Sequence, residues 1–401
     1  MLPQAKARKY DRQLRLWDSS GQEALESAHV CLLGSSALAS ETAKNLVLPG
    51  LGELTIVDDQ LVQEEDIEAN FFVPAGSVGH RRAAEVQNLL QELNSELECT
   101  FDARSPSQII VEEREDFWFQ FTLVIACGVD PAVLVQLNSV LYQKNIPLMV
   151  LESVSFYGYI RVSLKEHTIM ETHPESLVDL RLDATWPALD EFVASYDLET
   201  LSSSDREHVP YVVLLLKYLQ QWRRQSGKLR PETSQERSEL KGLIDGGRIA
   251  GEDQENYDEA VATVWRLAKQ SEVPSIIKEL ISSPGALVTR QSPPFWILVA
   301  ALGKYLEKYS LLPISGVLPD MKADTKGYVS LQQVYRAKAQ EDFQEFKKAY
   351  LWVLEKVGLP DNYISEDICE LFCKHSGYLK VIYGSQLEYG RPLEVNCKCD
   401  F

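Results

Sequence analysis

Between Gly128 and Ile368 the chain has no cysteine, so any chemistry that needs a thiol must be carried near one of its two ends. Cys31, Cys99 and Cys127 precede the gap, and Cys369, Cys373, Cys397 and Cys399 follow it. No C-x-x-C pair finds a second pair, which argues against a zinc site, and we expect no metal. Most of the cysteines sit in apolar runs, where the residue acts as a small hydrophobe. The pattern fits a reducing compartment, the cytosol or the nucleus. Cys397-Lys398-Cys399 is half a site at most. Positive charge is also scarce. Forty Lys and Arg face 59 Asp and Glu, a formal net charge of −19 over 401 residues. Such a surface repels phosphate backbones and anionic lipid, so nucleic acid and membrane surfaces are poor candidates as partners and a basic protein patch is a better one. Long apolar runs are missing too. Tyr211 to Leu216 falls far short of the ~20 residues a membrane span needs. The N-terminal MLPQAKARKYDRQLRLW has no apolar stretch of the kind a signal peptide carries.

What is present is organised around His29 to Gln60. Val30 to Leu33 reads as a buried strand ending at Gly34, and Leu38, Thr42 and Leu46 recur at helical spacing. Pro49-Gly50 and Gly52 stop that helix, and Leu54 to Val57 is a second strand ending on Asp58-Asp59. This is a βαβ unit opening a parallel sheet. A nucleotide version of the unit needs a glycine-rich turn, so that the backbone can approach a phosphate at the helix N-terminus. Here the turn is Gly34-Ser35-Ser36-Ala37-Leu38-Ala39, with its first glycine alone. The scaffold of a nucleotide site is written; the phosphate cradle is not.

Around this unit the pattern predicts a charged helical arm over 1–28 and an irregular acidic stretch over 60–79. A helix over 79–93 and strands at 98–101, 121–127, 146–151 and 157–164 follow, with a helix from Asp130-Pro131 to about Lys144. Residues 1–165 therefore form a Rossmann-like, doubly wound α/β domain. Residues 166–383 read as mainly helical, with helices at 209–224, 257–270, 275–281, 293–309 and 340–357. A polar loop holding a short helix is expected at 231–251, a long loop at 313–327, and a frayed tail over 384–401.

Several stretches carry a resemblance. Tyr10-Asp11-Arg12-Gln13, KNLVLPGLGELTIVDD (Lys44 to Asp59) and Val78-Gly79 before Arg81-Arg82-Ala83 are similar to the adenylating subunits that activate ubiquitin and its relatives. Asn70-Phe71-Phe72, DLRLD (Asp179 to Asp183), SYDL (Ser195 to Leu198), RQSPPFWIL (Arg290 to Leu298) and LQQVYRAKA (Leu331 to Ala339) narrow it further. Within that superfamily the chain resembles the regulatory, non-catalytic subunits of neddylation-activating enzymes from about residue 9 to 382.

The resemblance implies a pseudo-adenylation domain followed by a helical domain like the catalytic-cysteine domain without its cysteine. It assigns Gly34, Asp58, Asp66, Arg82 and Asp130 to a degenerate nucleotide site. Asp58 matches an acid that holds ribose, and Asp130 one that holds Mg²⁺. Asp66 turns a negative charge toward the nucleotide, Ala69 removes a phosphate donor, and Arg82 replaces a phosphate-contacting lysine with a different geometry. Asp130 before Pro131 is equally a helix N-cap. Cys369 and Cys373 lie one helical turn apart and read as core. No cofactor of its own is expected; ATP and Mg²⁺ belong to a partner catalytic subunit in a heterodimer that activates a ubiquitin-like modifier. Arg12 is the residue that resembles a trans contact to the partner's ATP, against a plain reading as a solvated arginine. Tyr211 and the segment holding Met321, Lys326, Tyr328, Leu331 and Tyr335 are expected at the partner interface or, equally, in ordinary packing. Family chains continue beyond the point matching residue 382, so an open sheet edge is expected here. Two other readings stand beside this one: a self-sufficient adenylating enzyme using Asp58 and Asp130, and a truncated variant that only binds partners or is defective.

Overall fold

Strands His29–Leu33 (β1), Glu53–Val57 (β2), Glu98–Asp102 (β3), Leu123–Cys127 (β4), Leu148–Val154 (β5) and Tyr157–Ser163 (β6) build one sheet in the computed structural model. Its order is β3-β2-β1-β4-β5-β6, with the first five strands parallel and β6 antiparallel to β5. The order reverses on either side of β1, which is the doubly wound arrangement. The structure describes residues 4–112, 115–170, 178–249 and 254–387.

Helices Gln4–Lys9 (α1), Asp11–Glu26 (α2), Ala37–Val47 (α3), Glu64–Ala69 (α4) and Arg82–Leu93 (α5) come before β3. Pro106–Glu112 (α6), Glu115–Trp118 (α7) and Pro131–Gln143 (α8) come after it. The strand period of two decides which face each β1 residue serves. Val30 and Leu32 pack on Ala39, Ala43 and Val47 of α3 and Val86 and Leu90 of α5. Cys31 and Leu33 turn the other way, onto Ile109, Trp118 and the α8 leucines 134, 137 and 141. A sheet covered on both faces needs continuous apolar strands, which is why those runs were legible. The acidic stretch expected to be irregular contains α4. Its first turn holds Glu64, Glu65 and Asp66, where the helix dipole favours negative charge, and Asp66 Oδ2 accepts from the Gln63 amide at 2.9 Å. Among the described residues β6 pairs with β5 alone, and Val154, Phe156, Tyr157 and Ile160 are exposed on that edge.

The chain divides into two compact units between His167 and Thr168 and again between Val381 and Ile382. Both divisions, two residues inside the expected limits of 166 and 383, fall within a pair of strands, Glu166–Ile169 (β7) with Lys380–Tyr383 (β8). The first residues of the expected tail are held in the first unit. The Gly384 carbonyl accepts from the Tyr142 hydroxyl at 3.2 Å, the Ser385 carbonyl from Ser163 Oγ at 3.0 Å, and the Leu387 amide donates to Asn138 Oδ1 at 2.7 Å. Residues 388–401, with Cys397 and Cys399, lie outside the described residues.

The second unit holds helices Pro187–Ala194 (α9), Ser203–Arg206 (α10), Tyr211–Ser226 (α11), Ser234–Gly246 (α12) and Glu255–Thr263 (α13). They are followed by Trp265–Ala268 (α14), Ser275–Ile281 (α15), Pro294–Leu306 (α16), Thr325–Val357 (α17) and Glu366–Lys374 (α18). The polar 231–251 stretch is mostly helix α12, started by a capping box of Thr233 and Glu236. The helix expected at 257–270 breaks in two at Val264. Helix α17 is 33 residues long, far beyond the expected 340–357, and spans roughly 50 Å. Asp324 caps it through the Gly327 amide at 3.1 Å, and Gly358 in a left-handed conformation ends it. Its N-terminal half joins a core with α9, α11, α12, α13 and α14, and its C-terminal half joins a second core with α15, α16 and α18.

Of the residues expected at a partner interface or in ordinary packing, Tyr211, Leu331 and Tyr335 are all buried within this chain's own core, as ordinary packing has them. Met321 and Tyr328 are half-buried against the same core, and Lys326 is exposed. Tyr335 is fixed by an edge-on contact with Trp186, ring centroids 5.0 Å apart, and its hydroxyl donates to the Leu180 carbonyl at 2.7 Å. Burial pushes its phenol well above the usual range. We predict that Tyr335→Phe, which orphans that buried carbonyl, lowers the unfolding free energy by roughly 1–3 kcal/mol in urea titrations. Unchanged stability with impaired partner binding would restore the interface reading.

Candidate functional site

The turn after β1 is shaped by the sheet rather than by a phosphate. Gly34 has φ +90°, and a Cβ there would meet the Cys127 carbonyl oxygen at 2.5 Å, so a glycine is required. Its amide donates to the Val57 carbonyl at 2.8 Å. The next amide, Ser35, donates to Asp58 Oδ2 at 3.1 Å, and the Ser35 hydroxyl donates to the same oxygen. The two N–H groups that open the turn are therefore both engaged inside the protein.

Arg82, at the start of α5, reaches back into this turn. Its Nε and Nη2 donate to Asp58 Oδ2 at 3.0 and 2.9 Å, and its Nη1 donates to Asp66 Oδ1 at 3.1 Å. The Nε also lies 3.3 Å from Ser35 Oγ. The other oxygen of Asp58 accepts the Gln60 amide at 3.0 Å. Asp58 is 2% exposed. One guanidinium thus bridges two carboxylates from two elements, and the desolvated charges are compensated by geometry and by extra donors. A second buried network sits beside it. Asn70 accepts from Ser40 Oγ at 2.8 Å and from the Phe72 amide at 3.0 Å, and donates to the Ser35 carbonyl at 3.2 Å. Asp66 does not point a bare charge into a nucleotide cleft: it caps α4 and pairs with Arg82.

So Gly34, Asp58, Asp66 and Arg82 come together, and Asp130 does not join them. Asp130 is exposed and caps α8 through the Ala132 and Val133 amides at 2.8 and 3.4 Å. This donor set does not fit a triphosphate. Asp58, which the resemblance assigns to a ribose, already accepts five hydrogen bonds within the protein, and Arg82, which it assigns to a phosphate, is held by two carboxylates. Sequence reasoning missed Ser40 and the bonds that Ser35 and Asn70 make, to partners 23 to 35 residues away. The one available signal was Asn70 inside the Asn70-Phe71-Phe72 stretch.

The arm is built differently. Tyr10 is buried, and Gln13 and Gln22 both donate to the Pro49 carbonyl, at 2.8 and 3.0 Å, clamping α2 onto the turn after α3. Gly50 has φ +109°, and a Cβ there would come within 3.0 Å of Gln22 and the Tyr10 hydroxyl. With Tyr10 and Gln13 turned inward, Arg12 is left exposed on the outer face and bonds to no described residue. The five described cysteines, 31, 99, 127, 369 and 373, are buried. Burial pushes Cys99 and Cys127 up to about 12 and Cys369 to about 11, and raises Cys31 and Cys373 as well. None of these thiols is ionised near neutral pH.

Residues 10–179 match the ThiF family. The chain is 39% identical to a Xenopus laevis protein named "NEDD8-activating enzyme E1 regulatory subunit", over 98% of this chain and 76% of that one. A Gallus gallus protein of the same name is 38% identical over 96% of this chain and 74% of its own length. An Arabidopsis thaliana "NEDD8-activating enzyme E1 regulatory subunit AXL" is 38% identical over 93% and 72%. With its doubly wound sheet and helical second unit, this chain belongs to the family of NEDD8-activating enzyme E1 regulatory subunits.

Proposed function

We propose that this chain is the non-catalytic half of a heterodimeric enzyme that activates a ubiquitin-like modifier for neddylation. ATP and Mg²⁺ are bound by the partner subunit, which forms the acyl-adenylate and carries the cysteine that receives the modifier. This chain supplies a rigid surface for the partner and one guanidinium, Arg12, to the partner's ATP. The observation that supports the reading most is the ionic bridge Asp58–Arg82–Asp66, which engages with one another the side chains that the resemblance assigns to a nucleotide site. The buried, protonated thiols of the described residues support it, since a nucleophilic cysteine needs an accessible thiolate. Arg12 suits the trans role because a guanidinium keeps its charge and can stabilise charge that develops on phosphate oxygens as adenylate forms.

The reading is tested first on the chain alone. It should give no ATP–pyrophosphate exchange and no calorimetric ATP binding, whereas tight ATP held without the partner would overturn the proposal. In the heterodimer, Arg12→Ala should slow modifier adenylation by about 10- to 100-fold while assembly, followed by size-exclusion chromatography, is unchanged. Adenylation at the original rate would remove Arg12 from the chemistry. Arg82→Ala leaves the buried Asp58 carboxylate uncompensated and should cost about 3 kcal/mol of stability in denaturant titrations. A loss of nucleotide binding in place of stability would instead mark Arg82 as a phosphate ligand. Finally, a thiol-reactive dye at neutral pH should label at most Cys397 and Cys399 of the folded chain, and all seven cysteines once it is denatured. Rapid labelling of Cys369 would restore a reactive thiol to the helical unit.

A further inference from the structure

The second unit contains a cavity of about 510 Å³ between the extended segment 178–183, the residues from α14 to 274, the loop 311–317 and the end of α18. That volume is in the range that holds a small organic molecule. Its wall includes the buried side chains of Leu180, Leu182 and Leu312, so an apolar body would gain by entering it.

The charges around it are unevenly matched. Asp179 is gripped by Arg181, whose Nε and Nη2 donate to one carboxylate oxygen at 3.2 and 2.9 Å while Nη2 also donates to the Leu312 carbonyl at 2.8 Å. Asp183 accepts the amide and hydroxyl of Ser271. Glu272 has Lys278 at 4.0 Å. The remaining cations are less satisfied. Arg266 donates Nη1 to the Val178 carbonyl at 2.9 Å and stacks over Trp265 at 5.0 Å, but its buried Nε has no hydrogen-bond acceptor among the described residues. Lys269 and Lys374 line the same cavity and bond to no described residue. Four cations, Arg181, Arg266, Lys269 and Lys374, line the cavity against the carboxylates of Asp179, Asp183 and Glu272, so its lining carries one excess positive charge in a chain whose net charge is −19. A buried donor without an acceptor is costly unless something fills its place.

We propose that this cavity binds an organic carboxylate with an apolar body, its anionic end drawn to Arg266, Lys269 and Lys374 and its body to the leucine wall. Two sources carry that chemistry: a free small-molecule acid and the C-terminal carboxylate of a peptide. The site is independent of the degenerate nucleotide turn and of Arg12.

The test uses the full chain and the fluorescent aromatic anion anilinonaphthalenesulfonate as the probe. Phenylbutyrate and an acetylated phenylalanyl-leucine dipeptide with a free carboxylate are the competitors, and the amides of both are the controls. The acids should displace the dye and the amides should not. Stronger displacement by phenylbutyrate assigns a small acid, and stronger displacement by the dipeptide assigns a chain terminus. Combining Lys269→Glu with Lys374→Glu, two exposed positions that leave the core untouched, should weaken dye binding roughly 25-fold, about fivefold for each reversed charge. Phe156→Ser, on the exposed β6 edge, should leave the displaceable dye unchanged. Dye that binds the double charge variant as tightly as the original chain, or amides that compete as well as acids, would overturn the proposal.

Discussion

The guanidinium of Arg82 ties four pieces of chain to one point. Asp58 ends β2, Asp66 lies in α4, Ser35 opens the turn after β1, and Arg82 itself starts α5. Two carboxylates and one guanidinium leave a net negative charge, with Asp58 buried and Asp66 and Arg82 partly exposed. It is tolerated because the Ser35 amide and hydroxyl and the Gln60 amide also donate to Asp58. With these donors the acid is satisfied without a ligand. The crossing segment through Asn70 is then held by a second set of buried bonds to Ser35, Ser40 and Phe72. The region is ordered by its own side chains, where a nucleotide enzyme would leave donors and acids waiting for substrate.

The arm obeys the same economy of contacts with the opposite outcome. Tyr10, Gln13 and Gln22 hold α2 to the Pro49-Gly50 turn, and the helical spacing then leaves Arg12 on the outer face. A charge intended for another molecule has to be held on a firm backbone and left without an internal partner. Arg12 meets both conditions, whereas Arg82, also held on a helix, is engaged by Asp58 and Asp66, although both are arginines beside a βαβ unit. Context within a few ångströms, not residue type, separates a donated guanidinium from a structural one.

What could be read in the sequence follows from the range of the forces involved. The central strands were legible because burial on both faces demands unbroken apolar runs. Helix α4 was not, because it has no buried residue and is stabilised by Asp66 and the dipole of a single polar turn. The N-terminal half of α17 was hidden behind Pro/Gly/Asp-rich sequence, and its start depends on Asp324 capping across Gly327. Strands β7 and β8 were missed because they are short and pair across more than 200 residues of chain. Tyr211 lay on an expected helix while Leu331 and Tyr335 lay outside one, and which face was buried depended on neighbours such as Trp186 and Leu180. At the site, the missing glycines pointed to a turn without a phosphate cradle, and the turn amides of Gly34 and Ser35 do bond within the protein. Which groups took its place could not be read, since Arg82 meets its partners 16 to 47 residues away.

A catalytic cradle is a locally unfavourable object, because its donors must stay unsatisfied, its acids ionised and its thiol exposed until substrate arrives. Each of those demands has a stabilising alternative in this chain. The turn amides bond inward, the ribose-position acid is paired, and the described thiols are packed as core. None of these changes touches the residues that make the sheet and helices, because the cradle sits on turns at strand ends while the fold is set by β1, β4 and the helices that cover them. Loss of the site can therefore leave the scaffold intact and stiffen it. For a subunit that works as proposed, through one arginine and a surface offered to a partner, that stiffness lowers the ordering cost of each encounter.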